Sequence, residues 1–145
     1  MAALIRRLTI KCAFTPQGAA TVALTPEGQV VGYLSLSCDA VKLTDLERSG
    51  FDARKRYGEY PALKIGRMAV HKNHHSQGVG RALIQYAVGM GWQLKLKTGC
   101  RFLTVDAYPN ANPFYEKLGF TDNLSKNKPG RQTISKRYDL LNPKK

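Results

Sequence analysis

The segment His74-His75-Ser76-Gln77-Gly78-Val79-Gly80-Arg81 joins a short apolar stretch to an amphipathic one. Glycines at 78 and 80 let backbone approach a ligand closely. A helix that starts there aims its unpaired N–H groups at an anion. Two phosphate-binding devices with related chemistry fit poorly. A P-loop needs Gly-Lys-Ser/Thr, which is absent. A dinucleotide fingerprint needs a small residue three positions after Gly80, where Leu83 stands. It also needs a tight turn straight off the strand, whereas residues 71–78 separate Val70 from Val79. Taken alone, the turn is more simply read as a helix start that needs only flexibility. His71, His74 and His75 crowd the same segment, but no further ligand cluster accompanies them, so no metal is expected.

The elements that would position this turn can be read on both sides of it. Leu63, Ile65, Met68 and Val70 mark a strand over 62–70, and its alternation breaks at Gly66 and Arg67, the place for a bulge. Val79, Leu83, Tyr86, Ala87, Met90 and Leu94 recur in steps of three and four, an amphipathic helix that ends near Gly99. "CRFLTVDAY" reads as a buried strand, "PNANPFYEKLGF" as a turn and a short helix to Gly119, and "TISKRYDLL" as a last strand. Upstream, "LIRRLTIKCAF" is a first strand and "TPQGAA" a turn. "TVALT" and "VVGYLSLSC" form a hairpin around "PEGQ", and a short helix lies near 43–48. A strand–helix–strand unit of this length implies a right-handed crossover between parallel strands. The expected class is therefore α/β or α+β, with a mixed, mostly antiparallel twisted sheet around a central parallel strand–helix–strand unit.

Length and composition set the outer bounds. The 145 residues, 43% of them hydrophobic, suit a single domain, 1–145, with its own core. Cys12, Cys38 and Cys100 are odd in number and form no CxxC pair, which fits a reducing cytoplasm. No apolar stretch approaches the roughly 20 residues of a membrane span, and Arg6 and Arg7 break the apolar run at the start. The net charge of +13 favours anionic partners.

With the flanking segments included, residues 62 to 120 resemble the GNAT N-acetyltransferase family. The resemblance rests on Met68-Ala69-Val70, His75-Ser76-Gln77-Gly78-Val79-Gly80, Asn110, Phe114-Tyr115 and Gly119-Phe120. It implies a GNAT-like fold with acetyl-CoA as co-substrate and no metal. In that fold the amides of Ser76, Gln77, Gly78, Val79, Gly80 and Arg81 would cradle the pyrophosphate. Met68 and Val70 would pair with the pantetheine arm as an added strand would, and an amide near Ala69 or Val70 would polarise the thioester carbonyl. Asn110 would bond the pantetheine, with Phe114 beside it. Tyr115 would be the acid that meets the leaving thiolate. Glu59 is the candidate base, and Tyr60 and Asp106 are weaker ones.

Two departures from the family stand out. His75 occupies the position of a Gln or Arg, and the helices that usually follow the first strand are cut to "TPQGAA", a shortened N-terminal helical region. The resemblance thus implies transfer of an acetyl group to a primary amine by direct attack on the thioester. The acceptor is an amine-bearing small molecule or a tRNA, since the sequence also resembles the branch of toxins that acetylate aminoacyl-tRNA. A non-catalytic CoA- or RNA-binding module is the alternative of another class. No membrane partner is expected, and a homodimer is left open. The basic surplus lies in Arg6-Arg7, residues 54–56, Lys95, Lys97, Lys126, Lys128, Arg131, Lys136 and Arg137. Convergence of these residues would suit an RNA-sized anion.

Overall fold

The computed structural model describes residues 7–15, 18–49 and 58–144. Its strands are β1 (Thr9–Thr15), β2 (Gly18–Leu24), β3 (Val30–Lys42), β4 (Glu59–Val70), β5 (Phe102–Ala107), β6 (Thr121–Asp122) and β7 (Ile134–Asp139). Three α-helices accompany them: α1 (Asp45–Arg48), α2 (Val79–Thr98) and α3 (Asn112–Lys117). Short 3-10 turns lie at Lys72–His74 and Pro109–Ala111. The strand order is β1-β2-β3-β4-β5-β7-β6, with β4 and β5 parallel, so the sheet is mixed as expected.

The chain divides into two compact units, residues 1–37 with 65–90 and residues 38–64 with 91–145. In the first, β1 and β2 form an antiparallel pair from Thr9↔Leu24 to Thr15↔Gly18. The chain between them is thus shorter than "TPQGAA", and its Pro16 and Gln17 lie outside the described residues. The β2–β3 register slips at Ala23/Leu24, which pair with Gly32 and Val30. Val31 is the extra residue of this bulge, and its carbonyl accepts the amide of His71 at 2.8 Å. Ala23, Val31, Leu34, Leu36, Ile65, Val79, Leu83, Ile84 and Ala87 are the buried apolar residues described here.

Gly32 sets how closely α2 sits on β3. A Cβ there would lie 3.0 Å from Val79 Cγ1 and 3.1 Å from both Leu83 Cδ1 and the Ala69 carbonyl. Only a bare backbone lets the first turn of the helix dock against this strand.

The second unit pairs β5 with β7 and β7 with β6, both antiparallel. Val41, Leu43, Tyr60, Ala62 and Phe102 form one buried cluster, with the Tyr60 and Phe102 rings edge-on at 5.8 Å. Val41 within β3 and Leu43 just past its end are both buried, which explains why β3 runs past Cys38 to Lys42. Thr44 caps α1 through a capping box with Glu47. Two readings of the sequence change. Lys136, expected on a basic surface, is fully buried, with Nζ 2.5 Å from Asp122 and 3.5 Å from Glu116. Arg137 is ion-paired with the buried carboxylate of Glu47. Neither cation is available to an external anion. Trp92 is 39% exposed, with Lys95 Nζ 4.1 Å from its ring centroid.

Candidate active site

The sequence picks out residues in both units, and each unit holds a distinct piece of chemistry.

In the first unit, β4 ends in Met68, Ala69 and Val70, half-buried or exposed. Gly66 and Arg67 are exposed in succession, which breaks the alternation where the bulge was expected. The amide of Arg67 donates to Ser35 Oγ at 2.9 Å, a side chain rather than a neighbouring carbonyl. Beyond Val70 the three histidines knit the turn. His71 Nδ1 accepts the Asn73 amide at 3.2 Å, and His74 Nδ1 donates to Gln77 Oε1 at 3.2 Å. His75 Nε2 donates to the Val70 carbonyl at 2.8 Å, so this ring ties the turn back to the strand end. That bond fixes Nε2 as the protonated nitrogen of His75.

The glycine turn carries two left-handed residues, Gly78 at φ 83° and Ser76 at φ 61°. Gly80 lies inside α2. A helix start leaves its first amides without acceptors. Here the gap is wider: among the described residues, no amide from Ser76 to Arg81 donates to a protein acceptor, and the first that does is Ala82, to the Gly78 carbonyl at 3.0 Å. Six successive donors are left free at the positive end of a 20-residue helix. Lys72 and Arg81, both exposed, add charge without a carboxylate partner among the described residues.

In the second unit, Tyr115 is the buried residue of α3. Its ring meets Phe114 at 5.1 Å and Phe120 at 5.4 Å, both near perpendicular. Phe120 in turn lies 5.5 Å from Tyr138. Burial pushes the Tyr115 hydroxyl above the ordinary tyrosine value. No hydrogen bond from that hydroxyl is formed among the described residues. The group is thus a neutral donor with its proton uncommitted. Asn110 is exposed on the 3-10 turn. Asn112, which sequence reasoning passed over, donates to Glu116 Oε1 at 2.8 Å, and its own Oδ1 is buried with no partner.

Glu59 is the exposed first residue of β4, while Val70 is the last. It lines a cavity of about 510 Å³ with Tyr60, Lys95, Cys100, Arg101 and Leu141. Asp106 is poorly suited to take a proton. Burial alone would raise its pKa, but Lys64 at 2.9 Å and Arg131 at 3.2 Å hold it below the usual carboxylate range. Among the described residues, no group of three or more His, Cys, Asp or Glu side chains is placed to hold a metal ion.

These features can be set beside known proteins. A family model described as the acetyltransferase (GNAT) domain matches residues 16–122. The chain belongs to the GNAT acetyltransferase family. It is accordingly an acetyl-CoA-dependent N-acetyltransferase, the class the sequence implied. Solved structures carry the same fold. A tyrosine-to-phenylalanine mutant of the AtaT toxin is 21% identical, with a TM-score of 0.74 over 93% of this chain and 91% of that one. AtaT complexed with acetyl-methionyl-tRNAfMet is 25% identical, with a TM-score of 0.66 over 81% and 69%. A tyrosine-to-phenylalanine mutant of KacT is 19% identical, with a TM-score of 0.70 over 86% and 72%. The sequence did not mark Gly32, which lets α2 dock on β3, Ser35, which takes the Arg67 amide, or Asn112, whose buried Oδ1 has no partner. A glycine inside "VVGYLSL" was the available signal for the first.

Proposed function

We propose that this N-acetyltransferase uses the amides of Ser76 to Arg81 to hold the pyrophosphate of acetyl-CoA and acylates the amino group of an aminoacyl-tRNA. The free amide run carries the first half of this reading. Six unpaired donors, together with Lys72 and Arg81, match a ligand that brings its own negative charge. His75 acts on the cradle indirectly, by bracing the turn against Val70. Met68, Ala69 and Val70 contribute backbone groups to the pantetheine arm, and the arm's amide N–H groups suit the orphaned Oδ1 of Asn112 as well as exposed Asn110.

The reaction is a direct displacement. The amine lone pair forms a bond to the thioester carbon, and the carbon–sulfur bond breaks. Tyr115 delivers its proton to the departing thiolate. A donor must be protonated to serve, and burial keeps Tyr115 so. Glu59 is left out of this scheme, because it begins the strand whose far end supplies Met68 to Val70. The amine loses its proton to water, and an acceptor that binds as the free base needs no dedicated carboxylate.

The acceptor class is supported by the likeness to AtaT in complex with acetyl-methionyl-tRNAfMet, at 25% identity across 81% of this chain, and by the charge of +13. The test uses labelled acetyl-CoA with a charged tRNA mixture, compared with free amino acids and short peptides. Acetyl-CoA should raise the melting temperature of wild type and of Tyr115→Phe alike, while the variant loses about 10²- to 10³-fold in turnover. Turnover on small amines with none on charged tRNA would remove the acceptor assignment. Unchanged turnover in Tyr115→Phe would remove the acid assignment.

A further inference from the structure

Ion pairs in the second unit are mostly balanced. Arg101 meets Asp139 at 2.9 Å, Arg137 meets Glu47, and Lys136 has two carboxylates, Asp122 and Glu116. Asp106 is the exception. Its two oxygens take Lys64 Nζ at 2.9 Å and Arg131 Nη2 at 3.2 Å, and Lys126 adds a third cation to its field. Three positive groups around one carboxylate leave a surplus of two. The side chains of Lys64, Asp106 and Arg131 are each about a third exposed, at 32%, 33% and 33%. Solvent, or a ligand, reaches them.

The segment that brings two of these cations is built to stay in place. Residues 123–133 hold no regular element, yet Asn123, Ser125 and Asn127 are tied to neighbouring segments. Asn123, 1% exposed, donates its amide to the Ser135 carbonyl at 2.8 Å and its Nδ2 to Ser135 Oγ at 3.0 Å. Asn127 accepts the Ser135 amide at 2.8 Å and donates to the Ser135 carbonyl at 3.0 Å. Ser125 donates to the Lys42 carbonyl. Arg131 also donates to the Lys126 carbonyl at 3.3 Å and to Thr133 Oγ1 at 3.2 Å. Between the inward residues stand Leu124, 52% exposed, half-buried Lys126 and exposed Lys128. A floppy basic loop would be a solvated surface feature. A loop fixed by seven such bonds, and left with uncompensated charge, costs stability unless an anion completes it.

We infer that Lys64, Lys126 and Arg131, organised around Asp106, form with exposed Lys128 of the same loop a contact for the phosphate backbone of an RNA acceptor. The inference rests on the tRNA reading above and gives it a location. Arginine and lysine at fixed spacing suit successive phosphates, and such contacts confer affinity without reading sequence. Asp106 is then a positioning residue that holds the cations apart and in register.

The test measures binding of a fluorescent, uncharged bulk tRNA to the full-length protein by anisotropy over a salt series. Lys126→Gln with Lys128→Gln is compared with wild type and with Lys95→Gln plus Lys97→Gln, two lysines at the end of α2. The expected result is an affinity loss of at least about tenfold at low salt in the loop variant, with a log–log salt slope shallower by close to two phosphates' worth. The control pair should change affinity less than about twofold, and acetyl-CoA should still raise the melting temperature of every variant. Wild-type-like binding by the loop variant overturns this site and leaves the tRNA reading standing. No tRNA binding by wild type, with the acetyl-CoA shift intact, overturns both.

Discussion

The two compact units handle charge in opposite ways. Glu27 is the one acidic residue in 1–37 and 65–90, so the other nine of the chain's ten lie in 38–64 and 91–145. Among the described residues, every side-chain ion pair falls in the second unit. Among the described residues, the first unit leaves the side chains of Arg67, Lys72 and Arg81 without a carboxylate and a run of backbone amides without a protein acceptor. The second uses its carboxylates to bury Lys136 and Arg137. The contrast separates two uses of a polar group. A donor meant for a ligand stays uncommitted in the protein, whereas one meant for the fold is satisfied within it. Substitutions at the uncommitted donors of the first unit should therefore show up in binding, and those at the satisfied buried pairs of the second, such as Arg137 with Glu47, in stability.

The largest expected effect tests the second half of that rule. Arg137→Gln leaves Glu47, whose side chain is 4% exposed, without its counter-charge. Removing one partner of a buried pair typically costs about 3–5 kcal/mol. Denaturant unfolding should show a loss of that order, while the melting shift produced by acetyl-CoA is retained. A change below about 1 kcal/mol would mean the pair behaves like a surface one.

Gly78→Ala tests the first half. Its φ of 83° costs a side-chain-bearing residue about 1–2 kcal/mol. The same change disturbs the amides on either side, so calorimetry should find acetyl-CoA affinity reduced by more than the stability loss alone explains. Equal losses in both would blur the distinction between the units.

The smallest effect is in pH. Burial alone would raise the Glu47 pKa, but the Thr44 amide and Arg137, among other bonds, hold it below the ordinary glutamate value. A carboxyl depressed on folding contributes stability that is fully present above its unfolded pKa, about 4.3. The contribution is lost as pH falls through the lower folded value. Urea midpoints should thus fall on acidification below about pH 4, and Arg137→Gln should flatten that fall. An identical acid profile in the variant would place the dependence on other carboxyls.

The same contrast explains what could be read from the chain. The strand–turn–helix around Gly78 was legible because its signals are local: a glycine turn, a 3.6-residue period and a strand before it. Its finer geometry was not. Ser76 reaches φ 61° although serine is no marker for that region. Lys136 and Arg137 looked like surface charges because their partners, Glu116, Asp122 and Glu47, come from other segments. Two-residue β6 has no periodicity to detect, and it pairs only because β7 passes beside it. Tyr115 was legible through its motif, but the free hydroxyl and the perpendicular aromatic rings that isolate it needed coordinates. Residues 54–56, expected to add to the basic surface, lie outside the described residues.

The clamp on Ser135 fixes the backbone of its neighbouring loop and leaves the side chains between the clamping residues free to change. The Ser135 amide, carbonyl and hydroxyl are all engaged by Asn123 and Asn127. The shape of this segment is therefore written in its asparagines and its charge in the residues between them. The two can vary separately. Drift at 124, 126 and 128 could retune, or reverse, the electrostatic character of the loop without refolding it.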